Sequence, residues 1–519
     1  MYAYAFNQST KYDSTKEVLR IFKQMQTISK KDKHVLPNVV TLNILIRCFA
    51  KSGEADKANK VLDDMEIAYQ SGSTYMGPTT LTFNTVIDAY ANAKRPEEAE
   101  EVLKQMMLIL REEPEREDMI KADTISFNSV LHAWQTSGRV GAAQRCQQLL
   151  DHMIKLYNAG NNDVKPDTYS YTATISAWSA VRRDTHALDK SMALLHKMEN
   201  HCALGDEDLC PNTITYTAVI NALARSGQDG ASQKAYDILL QMDKQFRESN
   251  NEEVKPDFIC YSAVIDALAK SEEEHSGQLA MDLLNHMITL SDMGHTDIKP
   301  NSQVYLSVLT ALGRSKARGS ADTAQQLLND MERSYQLGNL DAVPTVIHFN
   351  AVIHSWALSS FVFKADRAFM LLKRMEVESK EGGSNLQYQP DIITYNSVIL
   401  AAANSFGDAN IKSKAFRVAL EAFKTIQASS DIQQSSRTYA IFLKAVRKLS
   451  KPGDQRDFMV QRVLQHCCRD GLLNKFVLTQ VQLTCSSKKE LHKYFSQMGY
   501  SGDGLELKRM PNKWQSNSR

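Results

Sequence analysis

Residues 80–106 read TLTFNTVIDAYANAKRPEEAEEVLKQM, and this stretch decides the fold. Its first half, TFNTVIDAYA (82–91), follows the pattern T-Φ-polar-x-Φ-Φ-x-A-Φ-A, where Φ is apolar. Its second half puts Ala99, Val102, Leu103 and Met106 at offsets of 3, 4 and 7, which is one stripe of a helix. Two such helices in succession make a hairpin. One hairpin cannot bury its stripe alone, so it needs a neighbour of the same kind.

The neighbours are present. Starting two residues after a recurrent proline, copies begin at 39, 80, 124, 168, 213, 258, 302, 346, 392 and 436, spaced by 41 to 46 residues. LPNVVTLNILIRCFAKSG (36–53) and QPDIITYNSVILAAANSF (389–406) are clear copies, and QSSRTYAIFLKAVRKLS (434–450) is a weaker one. The second-helix stripe returns as Ala58/Val61/Leu62/Met65, Ala280/Leu283/Leu284/Met287 and Ala368/Leu371/Leu372/Met375. The small residue lets helices approach closely, and the aliphatics and flexible Met fill the gap to the next unit. Because the Met keeps one phase in each helix, it reads as core and not as a binding face.

The expected fold is therefore all-α: an α-solenoid, a right-handed superhelix of ten to eleven helix-turn-helix repeats. A partial repeat is expected at 1–38, the array at 39–475, capping helices at 476–500 and a flexible tail at 501–519. Between Met and the next proline lie 12 to 16 residues, and the Gly in IKLYNAGNNDVKP (154–166) and ERSYQLGNLDAVP (332–344) suggests a longer second helix ending in a left-handed cap.

Composition narrows the function. Of 519 residues, 43% are hydrophobic and 23% charged, as in ordinary soluble folded chains. The net charge of +1 advertises no global nucleic-acid field, so only a locally basic groove would supply phosphate contacts. None of the eight cysteines forms a CxxC pair, and Cys146 and Cys260 fall on apolar repeat positions. A disulfide framework is not expected, and a reducing compartment is. No run of 18 apolar residues exists, so no membrane span is expected. The N-terminus, MYAYAFNQSTKYDSTKEVLR, has neither an apolar core nor an Arg- and Ser-rich presequence and opens in mid-repeat. A targeting segment is expected to lie outside it.

No GxxxxGK[ST], GxGxxG, GxSxG or HExxH occurs. His466-Cys467-Cys468 with Cys485 fits no zinc-ligand spacing. No catalytic residue, metal or cofactor is expected, and no enzyme activity.

KPDTYSYTATISAW (165–178) and QPDIITYNSVI (389–399), with the Ala-x-x-Φ-Φ-x-x-Met helix before a KPD closure, resemble the pentatricopeptide repeat. Ordinary members have units of about 35 residues, so this chain resembles a long-repeat variant of about 44. The resemblance implies single-stranded RNA binding, one base per repeat. It also implies a role in organelle RNA metabolism (transcript stability, processing, splicing or translation) in the mitochondrion or plastid. Single-stranded RNA and other RNA-processing proteins are the implied partners, without a membrane, and the chain is expected to be a monomer.

By the same resemblance, base choice lies with each unit's fifth residue paired with its last. The pairs are Asn43/Thr79, Asn84/Asp123, Asn128/Asp167, Thr172/Asn212, Thr217/Asp257, Ser262/Asn301, Leu306/Thr345, Asn350/Asp391 and Asn396/Ser435. Leu306 is apolar where a polar reader is wanted, and so is Ala440 of the tenth unit. The family's preferences translate the nine pairs into 5′-YUUAGANUC-3′. The last residues equally suit helix N-caps, whereas Asn a turn inside a helix is a poor former whose reuse favours function.

The second residues, Val40, Leu81, Ile125, Tyr169, Ile214, Ile259, Gln303, Ile347, Ile393 and Arg437, would sandwich bases or staple neighbouring helices. Lys51, Arg225, Lys270 and Arg314 would meet phosphate or satisfy helix C-termini. RNA binding and a protein-interaction scaffold both remain open at this point; a positive groove would favour the first.

Overall fold

The computed structural model describes residues 15–29, 37–182, 184–315, 317–381, 388–429, 431–485, 488–496 and 510–517. The described residues form α-helices and short 3-10 turns, with no strand among them. After α1 (Thr15–Ser29), ten first helices alternate with ten second helices. The first helices are α2 (Val39–Lys51), α4 (Thr80–Asn92), α6 (Thr124–Ser137), α8 (Thr168–Ser179), α10 (Thr213–Ser226), α12 (Phe258–Lys270), α14 (Ser302–Ser315), α16 (Val346–Leu358), α18 (Ile392–Ala403) and α20 (Ser436–Leu449). The second helices are α3 (Ala55–Gln70), α5 (Pro96–Glu112), α7 (Ala142–Asn158), α9 (Thr185–Ala203), α11 (Ala231–Ser249), α13 (Ser276–Asp292), α15 (Ser320–Gln336), α17 (Lys364–Glu381), α19 (Ala409–Ala428) and α21 (Asp454–Arg469). Two shorter helices, α22 (Lys475–Thr484) and α23 (Lys488–Ser496), follow.

The chain divides into two compact units, Met1–Cys260 and Tyr261–Arg519. In the first unit α2, α4, α6, α8 and α10 pack in series, each on the next. In the second, α14, α16, α18, α20 and α22 do the same. Second helices pack mainly on the first helices before and after them, so each unit has an inner layer of first helices and an outer layer of second helices.

The stripes that define the repeat are its core. Ala99, Val102, Leu103 and Met106 are at most 4% exposed, and Ala280, Leu284 and Met287 are fully buried. Cys146 and Cys260 are fully buried too, as small apolar residues.

Second helices end where Gly72, Gly160, Gly205, Gly294 and Gly338 take φ between 92° and 103°, a left-handed conformation that a Cβ disfavours. A short 3-10 turn commonly follows, as at Asn162–Val164, Glu252–Val254 and Thr296–Ile298. Each of these three turns buries an aliphatic plug: Val164, Val254 and Ile298. The added length of the unit thus goes into a longer second helix and a plugged turn. The first helix of the same repeat fastens onto that turn. Thr124 Oγ1 donates to the Asp163 and Lys165 carbonyls at 3.1 and 2.7 Å, and Thr213 Oγ1 to those of Glu253 and Lys255 at 2.8 and 2.9 Å.

Two expectations need correcting. Cys202 and Cys210 form a disulfide, bridging the end of α9 to the loop before α10. They are only eight residues apart across a tight turn, and no CxxC spacing announces them. The other correction concerns the tail. Within 501–519, residues 510–517 are packed: Trp514 is buried, its carbonyl accepts from Leu473 N–H at 2.8 Å, and Asn517 Nδ2 donates to the Asp470 carbonyl at 2.9 Å. Met510 and the Trp514 indole, both buried, supply the apolar surface that a polar composition hides. The remainder, 501–509 and 518–519, lies outside the described residues, as does most of 1–38.

No helix among the described residues is long and apolar enough to cross a membrane.

Candidate nucleic-acid interface

The last residues are N-caps. Asp123 Oδ1 accepts from Ser126 N–H at 2.8 Å, Asp167 from Ser170 at 2.9 Å, Asn212 from Thr215 at 3.0 Å and Asp391 from Thr394 at 2.8 Å. Asp257 and Asn301 cap Cys260 and Val304 in the same way, and Ser435 caps Thr438. Thr79 completes a capping box with Thr82. Capping is therefore a real part of their job.

It is not all of it. Three of the caps also accept from the fifth residue of the preceding repeat. Asn84 Nδ2 donates to Asp123 Oδ1 at 3.3 Å, Asn128 Nδ2 to Asp167 at 3.1 Å and Asn350 Nδ2 to Asp391 at 3.1 Å. The two members of these pairs, about 40 positions apart in sequence, form one polar cluster at the junction between repeats.

A third residue, to which the sequence reading assigned no role, closes the cluster. Ser126 Oγ donates to Asn84 Oδ1 and Ser170 Oγ to Asn128 Oδ1, each at 2.7 Å. Thr82 Oγ1 does the same to Asn43 Oδ1 at 2.7 Å, and Thr215 Oγ1 meets Thr172 Oγ1 at 2.6 Å. These third-position hydroxyls, Thr82, Ser126, Ser170 and Thr215, are fully buried. The signal was available: Ser or Thr three residues after a cap is a capping-box pattern.

An amide held on both sides has its orientation preset. Asn84 still has one N–H and one oxygen lone pair for an incoming group. Elsewhere the cluster is incomplete. Asn350 Oδ1, Asn396 Oδ1 and Ser262 Oγ are buried without a hydrogen-bond partner. Thr217 Oγ1 donates to its own helix at Thr213 and contacts Cys260 Sγ at 2.9 Å, since Cys260 replaces the third-position hydroxyl. His348 replaces it in another repeat, bonding the Ser302 carbonyl through Nε2 at 2.9 Å. Burial holds this imidazole below its usual pKa, which keeps it neutral at pH 7.

Beside the clusters run the second residues. The eight apolar or aromatic ones, from Val40 to Ile393, are 45–67% exposed. A staple between helices would be covered, so these side chains are not staples. They divide the inner surface into compartments. One of 510 Å³ lies among Val40, Leu81, Ile125, Asn43 and Asn84. Another of 420 Å³ lies among Ile347, Ile393, Arg437, Asn350 and Asn396.

Charge separates between the layers. The ten first helices carry nine Lys or Arg against two carboxylates, Asp88 and Asp266, while the ten second helices carry 24 Lys or Arg against 27 carboxylates. The net charge of +1 therefore conceals an inner layer that is poor in acid and moderately basic. Not every cation there is available. Arg225 Nη1 donates to the Ser179 carbonyl at 3.1 Å and Arg314 Nη1 to that of Lys270 at 3.3 Å, so both satisfy helix C-termini.

Residues 33–66 and 81–108 each match a family model of the pentatricopeptide repeat. These two segments are similar to the pentatricopeptide repeat. A pentatricopeptide repeat-containing protein of Arabidopsis thaliana is 32% identical over 79 residues, covering 15% of this chain and 13% of that one. The crystal structure of the pentatricopeptide repeat protein PPR10 from maize aligns with a TM-score of 0.42 and 18% identity, over 94% of this chain and 67% of that one. The matched segments cover α2, most of α3, and much of α4 and α5. The junction built by Asn43, Thr79 and Thr82 falls between and within them.

Proposed function

We propose that this protein binds single-stranded RNA in a sequence-selective way, one base per repeat, and serves organelle RNA metabolism in the mitochondrion or plastid. The observation that carries the reading is the repeated junction: a fifth-position polar side chain, oriented by the next repeat's cap and third residue, beside an exposed apolar side chain. A base edge can hydrogen-bond to the first while its face lies on the second. The acid-poor inner layer suits a polyanion, and the unpartnered oxygens of Asn350, Asn396 and Ser262 suit N–H groups of bases. The site comprises the pairs from Asn43/Thr79 to Asn396/Ser435, and their order corresponds to 5′-YUUAGANUC-3′.

Exchanging one reader tests it. Thr217→Asn places an amide beside Asp257, the arrangement found at Asn84 and Asp123. It is expected to move the preference at the fifth base from G to U. Affinity for the redesigned RNA should stay within about tenfold of the original pair, roughly 1.4 kcal/mol. Binding of both RNAs by both proteins is measured at one salt concentration, because salt alone shifts affinity strongly. Unchanged G preference in the variant would overturn the register. No binding of RNA at low salt would leave the peptide-binding scaffold as the better reading.

A further inference from the structure

The series of compartments does not stop at the last polar reader. Beyond Ile393 the next second residue is Arg437 on α20, and the equivalent position on α22 is Phe476. Asn474 caps α22 as the other last residues cap their helices, its Oδ1 accepting from Val477 N–H at 3.1 Å. A compartment of 490 Å³ lies between them, lined by Arg437, Ala440, Ile441, Lys444, Phe476 and Gln480.

Its chemistry differs from the others. The fifth-position residue is Ala440, which offers no hydrogen bond to a base edge. Phe476 is instead 74% exposed, an aromatic face on which no ring among the described residues stacks. Helix α20 carries Arg437, Lys444, Arg447 and Lys448 and no carboxylate. No ion pair among the described residues engages Arg437, Lys444 or Lys448, whereas Lys165, Arg145 and Arg374, outside the first helices, are all paired. Burial, together with Lys448 and Arg447, lowers the Lys444 ammonium pKa, as expected where cations crowd without counter-charge. Gln480 Oε1 is buried and lacks a hydrogen-bond partner.

We propose that this compartment anchors a tenth nucleotide, 3′ to the nine read by polar pairs, with its base stacked between Phe476 and the Arg437 guanidinium and its phosphate at Lys444. The inference rests on the RNA reading and deepens it. Each base has a π-face, so stacking tolerates any sequence, and without a reader at Ala440 the anchor is indifferent to base identity. It would hold the 3′ end of the bound segment by stacking and charge.

The experiment compares the nine-mer 5′-YUUAGANUC-3′ with four ten-mers that add A, C, G or U at the 3′ end, and one that adds an abasic residue. The wild-type chain is expected to bind all four base-bearing ten-mers roughly tenfold more tightly than the nine-mer, and to gain much less from the abasic one. Phe476→Ala should remove most of the gain from the base, and Phe476→Tyr should retain it. A wild-type chain that binds the nine-mer but gains nothing from a tenth base overturns this inference alone. So does a gain that survives intact in Phe476→Ala. A chain that binds neither RNA overturns the RNA reading and this inference with it.

Discussion

Leu284→Ala is expected to cost about 2–5 kcal/mol of local stability, the usual range for a Leu-to-Ala cavity in a core. Leu284 is fully buried in the stripe of α13, between Ala280 and Met287, which are fully buried too. The damage should stay local. Contacts in a stacked array link nearest neighbours, so disruption propagates through one or two repeats and then fades. Hydrogen exchange should accelerate in the repeats on either side of α13 and remain slow in α18 and α20. Exchange that rises evenly along the whole chain would contradict an array built this way. Leu103→Ala should behave alike in the first unit.

Arg116→Ala is expected to be at least as damaging. Arg116 is 1% exposed and grips Glu66 with two hydrogen bonds, Nη1 to Oε1 at 2.6 Å and Nη2 to Oε2 at 2.9 Å. Its guanidinium also lies 4.2 Å from the Tyr69 ring centroid and bonds Glu113 at 3.1 Å. It fastens the 3-10 turn of one repeat to the second helix of the repeat before. Removing it strands the Glu66 carboxylate, which is 8% exposed, and an uncompensated buried charge costs about 3–5 kcal/mol. Glu66→Gln together with Arg116→Met should recover much of that loss, because no charge is then left unpaired. Thermal unfolding of the single and double variants reads the difference. A single variant as stable as the wild type would contradict the role assigned to this pair.

Much of the fold was legible because each stripe repeats at one phase. Ala99, Val102, Leu103 and Met106 define a helix face without reference to anything distant. What escaped the reading depends on contacts between repeats. Ser126 looks like an ordinary helix-start serine in sequence. Only stacking brings its hydroxyl to Asn84, 42 positions earlier. Arg116 and Glu66 are 50 positions apart and belong to no periodic pattern, so their pairing was invisible. The same holds for Trp514, whose carbonyl accepts from Leu473 N–H some 40 residues back.

The candidate site was legible to a different degree. The identities of the fifth and last residues could be written down from the repeat alone, but not that they touch each other. Net charge misled, because a whole-chain count of 61 cations and 60 carboxylates hides that only two of those carboxylates lie on the first helices. The second residues could not be assigned between staple and platform until their exposure was known. Arg225 and Arg314, by contrast, turned out to serve helix ends.

The most direct measurement is the affinity of the wild-type chain for 5′-YUUAGANUC-3′ against a scrambled nine-mer of the same composition, both at one fixed salt concentration. Each mismatched base costs on the order of 1–3 kcal/mol in nucleic-acid recognition, so several mismatches together should weaken binding at least about a hundredfold. Tight binding of the designed RNA with a loss of that size for the scramble is the expected result. Equal affinity for the two would contradict sequence-selective recognition through the paired readers.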